Sequence, residues 1–264
     1  MVHKSLFDLR RKPMRVACFM SGSGTNVRKI IEHQTRLKEE TGTSPYKVIL
    51  IFTDNPESNA KIIAEDYDIP LVVNDIKKYY EGRDIKDKSI REEFDWKTIR
   101  LIKPHKLDLI ALGGYAWFIT KPLISEYLII NVHPGDLSVT ENGKRKYVGL
   151  HDAPPRKAIL AGEKYLHSST HIVREEVDQG PILLISKPVK VELPYGISIE
   201  DLKKPENEKL LKRIAKEHQN RLKEFGDWKI FPLTLQWIAE GRFGIDENRN
   251  IYLDEKLIKN GFKL

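Results

Sequence analysis

Asn131 and His133 stand two residues apart in Ile129-Ile130-Asn131-Val132-His133-Pro134. On a strand, that spacing points both side chains to one face. A carboxamide and an imidazole converging on one spot can polarise a carbonyl and stabilise the oxyanion formed when a nucleophile attacks it. Further along, Asp178 precedes Gln179-Gly180-Pro181. A carboxylate at such a place can simply serve a turn. Set against His133, it would orient the imidazole and raise its proton affinity. His171, on the segment before that turn, is either a partner behind the site or an ordinary half-buried histidine.

A third segment, Ser21-Gly22-Ser23-Gly24-Thr25-Asn26, follows an apolar run and opens a helical one. Glycines there let the backbone approach a ligand, and the free N–H groups of a helix start favour an anion. The third glycine of a dinucleotide fingerprint and the Gly-Lys-Ser/Thr ending of a P-loop are both missing. The competing reading is a tight turn with Thr25 or Asn26 as helix cap.

These segments need a scaffold. Apolar runs of strand length alternate with helix-period stretches, which predicts βαβ units and an α/β, doubly wound, mainly parallel sheet. Strands are expected at about Arg15–Met20, Val48–Thr53, Leu107–Leu112, Ile129–Val132, Ser169–Val173 and Ile182–Val191. Helices are expected at Asn26–Arg36, Asn59–Tyr67, Lys88–Ile102, Asp152–Ala161 and Pro232–Glu240, the last stopped by Gly241. Two stretches look added: Gly135–Tyr147, polar with Lys144-Arg145-Lys146, and Glu200–Glu224, an amphipathic helix broken near Pro205. The tail from Phe243 to Leu264 reads as a short hairpin or a docked strand.

The chain has 264 residues, 40% of them hydrophobic, and a formal net charge of +7. That length suits one large domain, and the composition argues against disorder. No apolar run approaches the ~20 residues of a membrane span, and no signal-type stretch precedes Met14; the expectation is a cytoplasmic protein with no membrane partner. The basic balance suits anionic ligands or a solvated lysine-rich surface. The one cysteine, Cys18, can form no internal disulfide and sits in an apolar run, as a buried small hydrophobe would.

In order and spacing, these three segments resemble the folate-dependent formyltransferases. The Ser-Gly-x-Gly-Thr-Asn loop brings the resemblance closest to the phosphoribosylglycinamide formyltransferase branch. It covers roughly Met14 to Pro188 and resumes at Trp228 to Glu247. It implies a formyltransferase-like Rossmann-type fold, with a basic N-terminal extension over 1–13, a catalytic domain over 14–247 and a C-terminal extension over 248–264. It implies transfer of a formyl group from 10-formyltetrahydrofolate, as co-substrate and without a metal, to the amine of a small phosphate-bearing acceptor, glycinamide ribonucleotide. Asn131, His133 and Asp178 would be catalytic, with His133 protonated. Gly22, Ser23, Gly24, Thr25 and Asn26 would hold the acceptor's phosphate, and Asp227 its amine. Leu112, Tyr115, Ala116, Trp117, Phe118 and Ile119, with Arg174, Glu175 and Val177 from the loop over the pterin, would bind the folate. Partners would be small molecules, not nucleic acid, and the protein a monomer or homodimer.

The chain departs from the family pattern in three places. Trp117 stands where an arginine is common. Pro134-Gly135-Asp136-Leu137-Ser138 and a longer basic loop replace Pro-Ser-Leu-Leu-Pro. Asp227 is one methylene shorter than the glutamate of the purine enzyme. The rival readings are transfer to a different amine, hydrolysis of the formyl donor, methionyl-tRNA formylation, and a non-catalytic folate- or nucleotide-binding module.

Overall fold

The computed structural model describes residues 3–84 and 87–264. An eight-stranded sheet forms the centre. Its strands in chain order are β1 (Met14–Met20), β2 (Tyr46–Thr53), β3 (Leu71–Val73), β4 (Leu109–Leu112), β5 (Leu128–His133), β6 (Ser169–Ile172), β7 (Ile182–Ile185) and β8 (Phe262–Lys263). They lie side by side in the order β8-β7-β6-β5-β4-β1-β2-β3. All neighbours pair in parallel except at β6, which runs against both β5 and β7.

β1 is buried along its length apart from Arg15. Such a continuous apolar run is what a strand covered on both faces requires. The helices are α1 (Thr25–Thr41), α2 (Ala60–Asp66), α3 (Ile76–Tyr80), α4 (Lys88–Ile102), α5 (Lys121–Glu126), α6 (Ala153–Leu160), α7 (Ile199–Leu202), α8 (Glu208–Leu222) and α9 (Trp228–Ala239). Val27, Ile30 and Ile31 of α1 and Phe231, Leu235 and Ile238 of α9 bury against one face of the sheet. Phe94, Ile99 and Ile102 of α4 bury against the other. Helices on both faces make the doubly wound fold. The buried hydroxyls of Thr170 and Thr234 meet at 2.8 Å and tie α9 to β6. Cys18 is buried, and burial pushes its thiol up to about 12.

The structure redraws three expectations. The strand expected over Ile182–Val191 splits after Ile185, and Val189–Lys190 pairs instead with Tyr165–Leu166. Pro188 lies at the break and has no N–H to give a ladder. The last helix begins at Trp228, not Pro232. It continues from α8 through a π-helical turn, Lys223–Asp227, so Pro232 falls one turn inside a helix that is already running. The tail is both a hairpin and a docked strand. Phe243–Ile245, Ile251–Leu253 and Lys256–Ile258 form an antiparallel meander edged by Lys4–Ser5, and β8 then adds to β7. The added stretch over Glu200–Glu224 does break near Pro205, between α7 and α8. Among the described residues, no helix is long and apolar enough to cross a membrane.

The loops after β1 and β4 diverge where the strand order reverses, and such a switch point opens a crevice at the strands' carboxyl ends. Gly24 turns the chain there with φ +68°. A Cβ on it would come within 2.4 Å of Ile63 Cδ1 and 2.6 Å of Met20 Cε. Gly24→Ala should therefore cost roughly 1–3 kcal/mol through backbone strain and overpacking. Gly22 has negative φ and open space around it, so Gly22→Ala should be nearly neutral. Urea denaturation checks the pair; equal losses would contradict the turn's role.

Candidate active site

β5 carries Asn131 and His133 to the crevice on one face, as the two-residue period requires. β6 lies antiparallel beside it, with His171 directly across from Asn131. The Asn131 carboxamide donates to His171 Nε2 at 3.3 Å. After β6 the chain loops back and places Asp178 between the two imidazoles. Its carboxylate is 3.5 Å from His133 Nδ1 and 3.6 Å from His171 Nε2.

The loop that carries Asp178 is tightly held. Asp178 itself has φ +57°, a left-handed conformation that costs a non-glycine residue energy. Gly180 packs so close to β6 that a Cβ would lie 1.7 Å from the Ile172 carbonyl oxygen. Arg145 donates to the Asp178 main-chain carbonyl, and the Gly149 N–H donates to Asp178 Oδ2 at 3.2 Å.

Hydrogen-bond partners assign the tautomers. His133 Nε2 is 2.7 Å from the Tyr147 carbonyl, which can only accept, so Nε2 carries the hydrogen. His171 Nδ1 is 3.2 Å from the Ile172 carbonyl, and its Nε2 accepts from Asn131. One bare ring nitrogen, His133 Nδ1, therefore faces the carboxylate, and His171 Nε2, engaged by Asn131, lies on its other side. Burial pushes the His133 pKa down and outweighs the pull of Asp178, so the imidazole rests neutral. The protonated His133 expected from the sequence is not the resting form. Burial pushes the Asp178 carboxyl up, but His171, His133 and the Gly149 N–H more than reverse this and leave it below its ordinary value. The cluster rests ionised and is ready to take one proton onto a ring nitrogen.

Two cavities meet at this cluster. A polar one of about 340 Å3 is lined by Gly22, Ser23, Gly24, Thr25 and Asn26, by His133, and by Gln219, Lys223 and Asp227. The helix cap is Gly24, which has no side chain, and Thr25 and Asn26 lie inside the first turn of α1. No side chain caps that helix start, so its free N–H groups are available to an anion. Lys223 sits half-buried nearby, its pKa lowered by burial and by Lys216. Asp227 comes off the π-helical turn, a feature that recurs at functional sites. It is buried, and burial pushes its carboxyl up to about 6. Oδ1 of Asp227, Oδ1 of Asn26 and Oγ of Ser168 are all buried without a hydrogen-bond partner. Ser168 and Asn26 lie beside the carboxyl and draw its pKa back a little, but neither reaches hydrogen-bonding geometry.

The second cavity, of about 520 Å3, is apolar. Leu112, Tyr115, Ala116, Trp117, Phe118, Ile119, Arg174 and Val177 line it. Asn131, Asp178, Tyr115, Ala116 and Leu150 belong to both walls, so the two spaces join at the chemistry. Trp117 stacks on Tyr80 with ring centroids 5.7 Å apart. Glu175 departs from expectation. It lines a different cavity, together with Glu176 and one side of Arg174. Among the described residues, no group of three or more His, Cys, Asp or Glu is placed to hold a metal ion.

A family model described as formyl transferase matches residues 14–212. The chain belongs to the formyl transferase family. The phosphoribosylglycinamide formyltransferase of Haemophilus influenzae is 28% identical over 251 residues, which span 94% of this chain and 98% of that protein. The protein of the same name from Bacillus subtilis is 32% identical over 171 residues, 64% of this chain and 76% of that one. Among solved structures, the phosphoribosylglycinamide formyltransferase of Coxiella burnetii in complex with CHES aligns with a TM-score of 0.65 and 23% identity, over 96% of this chain and all of that one. That last similarity speaks to the shared fold.

Several site groups leave little or no mark in the sequence. The Tyr147 carbonyl is main chain and is independent of residue type. Gln219 and Lys223 sit in a charged amphipathic stretch where nothing separates an inward lysine from a solvated one. Ser168 is an ordinary strand-end serine. Ser21 Oγ donates to Asp54 at 2.5 Å and accepts from the Ala116 N–H at 2.9 Å, so it joins the two substrate walls; only the position of Asp54 at the end of β2 hints at this.

The Asp227 carboxylate should cost the fold stability. Its folded pKa, about 6, lies above the ordinary 3.8. Stability is therefore lost as pH rises from about 4 through 6, and the full penalty of about 3 kcal/mol remains above that. Asp227→Asn should raise the urea midpoint at pH 8 and lose this advantage below pH 4. A variant less stable than the parent at pH 8 would contradict the assignment.

Proposed function

We propose that the protein transfers the formyl group of 10-formyltetrahydrofolate to the primary amine of glycinamide ribonucleotide in purine biosynthesis. The observation that carries this reading is the junction of the two cavities at Asn131, His133 and Asp178. The apolar space suits the donor's flat pterin, walled by Leu112, Phe118, Ile119 and Val177 with Trp117 and Arg174 at its margin. The polar space suits a phosphate-bearing amine. The α1 N–H groups behind Gly22–Asn26 hold the phosphate, with Lys223 adding charge, and Asp227 grips the amine. The unpartnered Oδ1 atoms of Asp227 and Asn26, both from residues on the wall of the polar cavity, are acceptors for the hydrogens such an amine carries.

The transfer forms one C–N bond and breaks another. The acceptor nitrogen attacks the formyl carbon, and the carbonyl oxygen gains negative charge. Asn131 spends one amide hydrogen on His171 and has a second for the oxyanion. The attacking amine sheds a proton, which the His133–Asp178–His171 cluster takes up. Asp178 stabilises the imidazolium that results, and the same proton passes to the departing folate nitrogen. The proton count closes within the site.

A formyl-transfer assay with 10-formyltetrahydrofolate against glycinamide ribonucleotide, other primary amines and water alone should give transfer to the ribonucleotide well above the rest. Rapid hydrolysis without transfer to any amine would overturn the reading. Asn131→Ala should lower kcat roughly 10²–10³-fold, the usual worth of one oxyanion donor, with the urea midpoint little changed.

A further inference from the structure

Alternate residues from Arg145 to Gly149 touch the catalytic cluster. The Arg145 guanidinium donates to the Asp178 main-chain carbonyl. The Tyr147 carbonyl takes the His133 Nε2 hydrogen at 2.7 Å, and the Gly149 N–H donates to the Asp178 carboxylate at 3.2 Å. This strap lies hard against the end of β5. A Cβ on Gly135 would come within 2.7 Å of the Tyr147 carbonyl oxygen and 3.0 Å of His133 Nε2. The strap belongs to the longer basic loop by which this chain departs from the family pattern.

The strap is anchored from its outer side. The Lys146 N–H donates to the Val139 carbonyl at 3.0 Å, and Lys157 Nζ donates to the Val148 carbonyl at 2.8 Å. Tyr147 buries its ring with Ala158, Leu166, Val189 and Leu222. Its hydroxyl donates to Glu163 Oε1 at 2.5 Å. Glu163 follows α6, and its own N–H donates to the Ala158 carbonyl at 3.1 Å. A cavity of about 430 Å3 opens beside this pair, with Pro134, Gly135, Tyr147 and Glu163 on its wall. A void leaves the groups that line it without packing contacts on one side. On that side the hydrogen bond to the carboxylate, the stronger kind, sets where the Tyr147 ring and its carbonyl rest.

We propose that Glu163 is a positioning residue of this site: through the Tyr147 hydroxyl it holds the strap whose main-chain carbonyl sets the His133 tautomer. With the carbonyl in place, Nε2 keeps the hydrogen and Nδ1 stays bare beside Asp178. Without it, the two tautomers mix, and a share of the molecules turns an N–H toward the carboxylate and cannot take the amine's proton there. The inference deepens the proposed function, since it rests on His133 as the proton acceptor. Neither Tyr147 nor Glu163 lines the two substrate cavities, so the effect belongs in kcat and not in substrate affinity.

The test combines nitrogen-15 NMR of the histidine rings with steady-state kinetics in the parent, Tyr147→Phe, Glu163→Ala and Glu163→Gln. Tyr147→Phe and Glu163→Ala should give mixed His133 tautomers and a kcat roughly tenfold lower, with both KM values within about twofold of the parent. Glu163→Gln keeps an acceptor for the hydroxyl and should restore the parent tautomer and most of kcat. A lower urea midpoint with tautomer and kcat unchanged would reduce the pair to a structural role and overturn the proposal. So would a change in tautomer without a change in kcat, or the reverse, or a Glu163→Gln variant as impaired as Glu163→Ala. Should Tyr147→Phe fail to fold, the two Glu163 variants decide. Absence of transfer by the parent would contradict the proposed function instead; the tautomers, read without substrate, then decide, with mixing in Glu163→Ala supporting the anchor and an unchanged ring overturning it.

Discussion

One carboxylate held between two imidazoles is the arrangement on which the rest of the site depends. It exists because a single strand, β6, runs against its neighbours. Here β6 sets His171 across from Asn131, and the loop that follows brings Asp178 over the same face. An ionised carboxylate facing the bare Nδ1 of His133 is a poor ground state and a good acceptor for one proton. That is the need of a reaction in which an amine must lose a proton and a leaving nitrogen must gain one.

The supports of this cluster come from segments outside the parallel core. Tyr147 fixes the His133 tautomer, and Arg145 holds the main chain at Asp178; both belong to the basic stretch after β5. The π-helical turn between α8 and α9 delivers Asp227 at a depth where its charge is costly. An uninterrupted α-helix would turn the carboxylate elsewhere. Left-handed Asp178 and buried Asp227 each lower stability, and each places a charge where the chemistry needs it, the common trade between stability and activity.

Much of the fold is legible in the residues. The strand–helix alternation and the apolar character of β4 and of β1 beyond Arg15 lead directly to a doubly wound sheet. Lys88–Ile102 can be bounded because Asp87 caps its start. What the residues do not reveal is local and has physical causes. Pro188 cuts a strand that apolar content alone extends. Pro232 looks like a helix start because proline favours the first turn, and only the preceding π turn shows otherwise. Asn131 and His133 can be placed on one face from their spacing. Their relation to His171 and Asp178 is a matter of strand pairing across long separation, and residue type does not encode register. The neutral resting state of His133 runs against the sequence expectation because burial, invisible in the sequence, outweighs the neighbouring carboxylate.

Nitrogen-15 NMR of the histidine rings tests the central claim most directly. At pH 7, His133 should carry its hydrogen on Nε2 and leave Nδ1 bare, with the opposite tautomer at His171, and Asp178→Asn should change the His133 signals. An imidazolium at His133 in the resting protein at pH 7, with both ring nitrogens protonated, would contradict a cluster that rests one proton short.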